Sequence, residues 1–352
     1  MKCLVTGGAG FIGSNLVEQL IKLGHQVIVL DNLSTGSLSN LSQVKNKIEF
    51  VNADVTINKN SIDKYFNNVD WVFHLAGLAD LVPSIKDPTS YFQTNVKGTL
   101  NVLEASRKVK IKKLIYAASA SCYGVPDKYP TDEKSKIDPQ FPYAFTKYFG
   151  EQMVIHWAKI YNMPNVSLRF FNAYGPRLKK TGAYGGVFSI FLAQKLAKKS
   201  LTIVGDGKQT RDFIHIFDLV DIAIRAAENG KEGEIYNVGS GQETSINSLA
   251  DIIGGNKVKI PQRPGETDRS LADISKIIEH FNWKPKITIN DGIKMLLKNI
   301  NEWKEAPVWT PETIKEATKS WFKPLSNLVY KSKNGRILSD NPMRYSFYGN
   351  AS

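Results

Sequence analysis

Three residues have the types and spacing for proton chemistry: Ser119, Tyr143 and Lys147. Tyr143 and Lys147 stand four apart in Tyr-Ala-Phe-Thr-Lys, so a helix puts them on one face. A lysine ammonium beside a phenol favours the phenolate and lowers its pKa, which makes a general base workable near neutral pH. Ser119, in the stretch Ala118-Ser119-Ala120-Ser121-Cys122-Tyr123-Gly124, can share the same proton network. Taken alone, a Tyr-x-x-x-Lys pair is most often a plain helix face. Its place in the chain is what gives it weight.

That place is set by the first dozen residues. Lys2 to Thr6 read as a short apolar strand and Phe11 onward as an amphipathic helix ending near Gly24. Gly7, Gly8, Gly10 and Gly13 punctuate the join. A strand turning sharply into a helix needs a residue tolerant of positive φ, and small residues where a pyrophosphate approaches the backbone. Phe11 and Ile12 then open a helix whose unpaired N–H groups and dipole suit phosphate. Glycine-rich turns also occur in ligand-free βαβ units. The second strand, His25 to Leu30, decides between these readings because Asp31 ends it. An acid there suits two ribose hydroxyls and repels a 2′-phosphate, so NAD is favoured over NADP.

The elements that must position these groups follow in order. Asn32, Leu33, Ser34, Thr35 and Gly36 form a polar loop suited to an adenosine. Ile48 to Asn52 is a third strand with Asp54 and Val55 just beyond it, and Trp71 to Leu75 a fourth, followed by Ala76 and Gly77. Asp87-Pro88 opens a long helix through Arg107; Lys113 to Ala117 and Val166 to Phe171 are the fifth and sixth strands, flanking the helix that runs from Tyr143 to Tyr161. This alternation predicts an α/β fold with a doubly wound parallel (Rossmann) sheet. From Asn172 it breaks into short mixed elements, which predict a smaller mixed α/β C-terminal substrate lobe. The expected division is 1–171 for the Rossmann domain, with 205–240 returning to it, and 172–204 with 241–303 for the lobe. The tail, 304–352, carries one helix candidate, Pro311 to Phe322, and no assignable role.

Composition narrows the partners. The 352 residues carry a formal charge of +13, but Lys and Arg are scattered, and Arg107–Lys113 and Lys195–Lys199 read as solvated helix ends. No basic run is interleaved with aromatics, which argues against nucleic acid. No leading signal or bilayer-length apolar run is visible, and Cys3 and Cys122 make neither a disulfide framework nor a metal site, so a soluble cytoplasmic protein without a metal is expected.

Taken together, these motifs resemble the extended short-chain dehydrogenase/reductase family, and within it the NAD-dependent nucleotide-sugar epimerases. The likeness runs in motif order through about residues 1–303. It implies that Gly7, Gly10, Phe11, Ile12 and Gly13 cradle NAD. By the same likeness Asp31, Asn32, Ser34, Thr35, Gly36, Asp54, Val55, Leu75, Ala76, Gly77, Asn95 and Phe170 contact it. Ser119, Tyr143 and Lys147 match the catalytic set. Ser121, Asn172, Gly186, Val187, Arg211, Arg263, Glu266 and Ser270 stand where the family holds a nucleotide sugar, a UDP-sugar above all. A homodimer through the helices at 87–107 and 143–161 is a further family expectation.

The stretch before Tyr123 separates subtypes. Dehydratases of this family carry Asp-Glu where Ala120 and Ser121 stand, decarboxylases carry Glu at the Ser121 position, and 3,5-epimerases a cysteine there. Cys122 is one residue late and reads as packing. The resemblance therefore implies 4-epimerisation of UDP-glucose and UDP-galactose, with their N-acetylated forms admitted by a small Ser270; a decarboxylase or dehydrogenase/reductase is the alternative. Asp80 departs from the family's small or neutral residues, either facing solvent, capping the next segment or touching the sugar. Asp31→Ala is expected to weaken NAD and relax discrimination against NADP, read by titrating cofactor-free protein with each. An unchanged preference would mean that Asp31 merely ends a strand.

Overall fold

Alternation along the strands builds a sheet covered on both faces. The computed structural model describes residues 1–57, 60–180, 186–261 and 267–317, with the backbone of Tyr330–Lys331 and Leu338–Ser339. The chain opens with β1 (Lys2–Thr6), α1 (Phe11–Lys22), β2 (Gln26–Asp31), β3 (Ile48–Asn52) and β4 (Trp71–His74). Helices α2 (Leu81–Lys86), α3 (Pro88–Phe92) and α4 (Gly98–Val109) follow, then β5 (Lys113–Ser119), α5 (Pro142–Tyr161) and β6 (Asn165–Phe170). Next come β7 (Asn172–Tyr174), α6 (Val187–Leu196), β8 (Leu201–Val204), β9 (Thr210–His215), α7 (Ile216–Asn229) and β10 (Ile235–Val238). After them lie β11 (Glu243–Ser245), α8 (Ile246–Ile253), β12 (Lys257–Ile260), α9 (Ser275–Phe281) and α10 (Ile289–Lys298).

Seven strands pair in the order β10–β6–β5–β4–β1–β2–β3. All are parallel, and the order reverses direction between β1 and β4. A ligand crevice forms beyond the carboxyl ends of the strands at such a switch point. Successive residues of β1 point to opposite faces: Cys3 and Val5 join the core beneath α1 and α7, while Leu4 joins the core beneath α4 and α5. Both faces being buried explains why these strands read as continuous apolar runs.

A smaller region sits beside this sheet. β9 pairs with β7 and β11, and β12 with β8, in two short sheets around a third core that includes Phe188, Phe191, Phe213 and Trp303. Of residues 205–240, β10 therefore joins the large sheet, whereas β9 belongs to the short one. The tail begins on the same core. Residues 311–317 are helical, Ile314 is buried, and the Gln194 side chain donates to the Trp309 carbonyl at 2.7 Å.

One predicted helix is not regular. The run from Pro88 to Val109 is interrupted by a π-helical turn over Gln93–Lys97, which brings Asn95 inward. Such turns collect at functional sites. Across the sheet, Arg169 and Glu151 form a buried ion pair at 2.6 Å. Arg169 also donates to the Tyr123 hydroxyl at 2.8 Å, and Tyr123 to Asn237 at 2.7 Å, which ties β6, α5, β10 and the loop after β5 together.

Candidate active site

The glycine turn is fixed by contact. Gly7 has φ +69°, and a Cβ there would lie 2.7 Å from the Ala76 amide nitrogen. At Gly13 a Cβ would lie 2.2 Å from the Gly7 carbonyl oxygen. Backbone atoms cannot yield that much, so only glycine closes this turn. Gly10 precedes α1 without any side-chain cap, which leaves the first N–H groups of Phe11 and Ile12 open to a ligand.

Asp31 is buried at the end of β2, where its carboxylate accepts from the backbone N–H of Ala9 at 2.9 Å and of Leu33 at 2.8 Å. These bonds orient it and leave lone pairs for a diol. Asn32 donates to Asp54 at 2.9 Å, and the Ser34 N–H to Asn32 at 3.0 Å. Burial would raise the Asp54 carboxyl, but hydrogen bonds from Thr56 and Asn32 hold it below its ordinary value. Gly36 packs on Ala9, so the loop through Thr35 borders the glycine turn. The uncapped helix start, the close-packed glycines and the oriented acid fit the pyrophosphate and adenosine ribose of NAD.

Two of the expected cofactor contacts face inward. Val55 is buried, and its carbonyl accepts from Asn101 at 2.7 Å. The Asn95 amide accepts from the Leu78 N–H at 2.9 Å and donates to the Leu78 carbonyl and the Thr146 hydroxyl, both at 3.0 Å. Asn95 thus clamps the β4 loop, where Leu75, Ala76 and Gly77 run along the carboxyl edge, onto α5. A buried relay that the sequence reading missed supports the same loop. Thr6 Oγ1 lies 2.8 Å from His74 Nδ1, and His74 Nε2 lies 2.9 Å from Thr99 Oγ1. Thr6 accepts from the Ala76 N–H at 3.2 Å and Thr99 donates to the Asn95 carbonyl at 2.7 Å. The Thr6 hydroxyl must then donate to His74, and His74 Nε2–H to Thr99. Burial, then the nearby Lys147 charge, pushes the His74 pKa down to about 3, so the ring is neutral.

Beside this edge a cavity of about 520 Å³ opens between the sheet and the smaller region. Ser119, Ser121, Tyr143, Phe170, Asn172, Gly186, Val187, Arg211 and Ser270 all line it. Arg263 and Glu266 lie outside the described residues. Asn172 donates to the Asp212 carbonyl at 3.1 Å, and the Ser270 N–H to the Thr210 carbonyl at 3.2 Å, which anchors both to β9. The sequence reading also missed Arg269 in this wall; it grips Glu243 through two nitrogens and lies 4.8 Å from the Tyr129 ring centre. No spacing marks it. Cys122 is buried against Tyr123, Phe171 and Ala272, outside the cavity wall, and burial raises its thiol to about 12. Among the described residues, no group of three or more His, Cys, Asp and Glu could hold a metal ion.

Ser119 and Ser121 hydroxyls lie 2.8 Å apart, and both act on the neighbouring Tyr143 phenol to pull its pKa down. The charge relation differs from the sequence expectation. Burial raises the Tyr143 phenol, against the pull of the Ser119 and Ser121 side chains. Lys147 instead lies 4.3 Å from the Tyr116 ring centre, and a Cβ on Gly77 would be 3.8 Å from its Nζ. Burial pushes Lys147 down to about 7, with Glu151 opposing. The ammonium therefore faces the β4 loop, where a ribose would meet it.

The fold and this site define an NAD-dependent enzyme built on a Rossmann sheet. The chain belongs to the NAD dependent epimerase/dehydratase family, whose model matches residues 3–239. UDP-glucose 4-epimerase of Mycolicibacterium smegmatis is 36% identical over 309 residues, 83% of this chain and 96% of the relative. The structure of Thermotoga maritima UDP-glucose 4-epimerase with UDP-glucose superposes with a TM-score of 0.81 at 34% identity, covering 86% of this chain and 99% of that one. UDP-N-acetylglucosamine 4-epimerase of Methanobrevibacter ruminantium, in complex with UDP-N-acetylmuramic acid, gives 0.80 at 32% identity, covering 85% and 98%.

Lys147 makes stability depend on pH. Its folded pKa, about 7, lies below its ordinary value of 10.5, so between them the unfolded chain binds more protons than the folded one. Stability of cofactor-free protein is therefore expected to rise with pH from about 7 to 9, before the buried thiols and phenols titrate. Lys147→Met should flatten that rise, measured by urea unfolding across the range; an equal rise in the variant would place the dependence elsewhere.

Proposed function

We propose that this protein catalyses NAD-dependent 4-epimerisation of a UDP-sugar, with UDP-glucose and UDP-galactose as substrates and their N-acetylated forms also accepted. The observation that carries this reading is the Ser119–Ser121–Tyr143 hydroxyl cluster opening into a cavity whose far wall holds Asn172 and Arg211. In this reading residues 1–171, with 205–240, hold the cofactor, and 172–204 with 241–303 hold the nucleotide sugar. Bound NAD supplies a reversible hydride acceptor, so oxidation and re-reduction at one carbon leave no net redox change.

The residues divide the remaining work. Tyr143 takes the proton of the C4 hydroxyl and returns it, as a general base and then acid. Ser119 donates a hydrogen bond to the reacting oxygen, where charge develops. Lys147, charged by contact with ribose oxygens, keeps Tyr143 competent to ionise. Arg211 and Arg263 grip the diphosphate, Glu266 the uridine ribose, and Gly186 and Val187 border the base. With the diphosphate held, only the sugar needs to turn over. Exposed Phe92, Phe145 and Phe149, on α3 and α5, support a homodimer through these helices. No described helix is long and apolar enough to cross a membrane, which suits a cytoplasmic enzyme acting on soluble sugars.

Incubation with UDP-glucose, followed by both product analysis and near-ultraviolet absorbance, tests the reading. UDP-galactose without lasting NADH is the expected result, whereas accumulating NADH would mark a dehydrogenase. Tyr143→Phe removes one hydroxyl and is expected to lower turnover by about 10²–10⁴-fold with cofactor binding retained. Turnover within a few-fold of the parent would remove Tyr143 from the mechanism. Ser270→Tyr is expected to depress kcat/KM for UDP-N-acetylglucosamine selectively relative to UDP-glucose, by steric exclusion. An unchanged ratio, or a parent that refuses the acetylated sugar, would take Ser270 out of the account.

A further inference from the structure

Asp80 precedes α2 in the position of an N-cap, yet its side chain makes no capping bond. It does not simply face solvent either, because it lines the same cavity as Ser119 and Tyr143. Its backbone is held by the Tyr91 hydroxyl, which donates to the Asp80 carbonyl. Its side chain is held through Oδ2 by the Lys179 ammonium, and Lys179 does not line the cavity. An oriented carboxylate thus stands in the wall, with Oδ2 paired to a cation that does not line the cavity and Oδ1 without a hydrogen bond among the described residues.

We infer that Asp80 makes the sugar end of this cavity select neutral sugars over uronates, as an anionic wall that only accepts hydrogen bonds. The inference rests on the nucleotide-sugar reading above and narrows it. A sugar hydroxyl or amide N–H can donate to Oδ1, whereas a carboxylate brings a second acceptor and a like charge. A C6 carboxylate is joined to the carbon next to C4, so it stays within a few bond lengths of the oxygen that Ser119 and Tyr143 address. The Asp80 charge already reaches this place: after burial, it is among the influences that raise both Tyr91 and Tyr143. Family members divide on this substituent, since one solved relative is a UDP-glucuronic acid 4-epimerase from Bacillus cereus in complex with its uronate. Rejection by a like charge is a repulsive element, distinct from any added contact to the favoured sugar.

Lys179 gives the test its sign. Neutralising Asp80 removes the repulsion, whereas removing Lys179 leaves Asp80 uncompensated and strengthens it. Holoenzyme is assayed for kcat/KM and Kd with UDP-glucose and UDP-glucuronate, in the parent, Asp80→Asn and Lys179→Gln. The parent is expected to favour UDP-glucose. Asp80→Asn should move the ratio toward the uronate by about tenfold or more, chiefly in KM and Kd, a size set by charges at sugar-length separations. Lys179→Gln should move it the other way. A parent that treats both sugars alike, or an unchanged ratio in Asp80→Asn, overturns the inference. So does a shift of both variants in the same direction, which is the mark of an ion pair that only holds α2 in place. Should the parent epimerise neither sugar, the proposed reaction fails, while the ratio of Kd values still decides the role of Asp80.

Discussion

The approach of Gly7 to Ala76 is the constraint on which the site depends. With 2.7 Å between a would-be Cβ and the Ala76 nitrogen, β1 and β4 can close only if the turn carries no side chain. That closure lets Thr6 accept from Ala76; because Thr99 donates to Asn95, the neutral His74 donates from Nε2 to Thr99 and accepts from Thr6 at Nδ1, a single tautomer. From His74 the chain of bonds runs to Thr99 and then to the Asn95 carbonyl inside the π turn. A buried polar chain of this kind is favourable only when every member is satisfied. Here each one is, and the result is a rigid join between the phosphate turn, the β4 loop and the helix that carries Tyr143.

Electrostatics at the catalytic end follow from the same burial. Lys147 sits over the Tyr116 ring with its charged form disfavoured, and the phenol of Tyr143 is held up rather than down. Without a ligand, proton exchange at Tyr143 is therefore disfavoured. Ribose oxygens meeting Lys147 would stabilise its ammonium, and the ammonium would then favour the phenolate.

Behind the cavity, the Arg169–Glu151 pair does structural work of another sort. Arg169 reaches across β6 to the Tyr123 hydroxyl and the Glu133 carbonyl, so the segment that bears Ser119 and Ser121 is braced from the large sheet. Buried pairs such as this contribute little net stability but are strongly destabilising to break. The cavity wall on the opposite side depends on β9 and on Ile314, which places the start of the tail against the smaller region.

Apolar runs alternating with helical stretches, glycine placement and the acid that ends β2 are local properties, and they were enough to specify the parallel sheet, the phosphate turn and the Tyr143–Lys147 face. Those features depend on residues close in sequence, where backbone geometry leaves few options. Tertiary structure alone decided which neighbours each group meets. Asn95 turns inward because Leu78 and Thr146 take up its amide, and Val55 because Asn101 takes up its carbonyl. Lys147 faces Tyr116 because β5 runs beneath α5, a contact that no helix periodicity contains. Asp80 and Lys179 are 99 residues apart, so their pairing follows from the placement of the segment after β7 against α2. Spacing along a chain determines which side chains share a face; only the packed fold determines what that face meets, since burial and charge act through space and not through sequence.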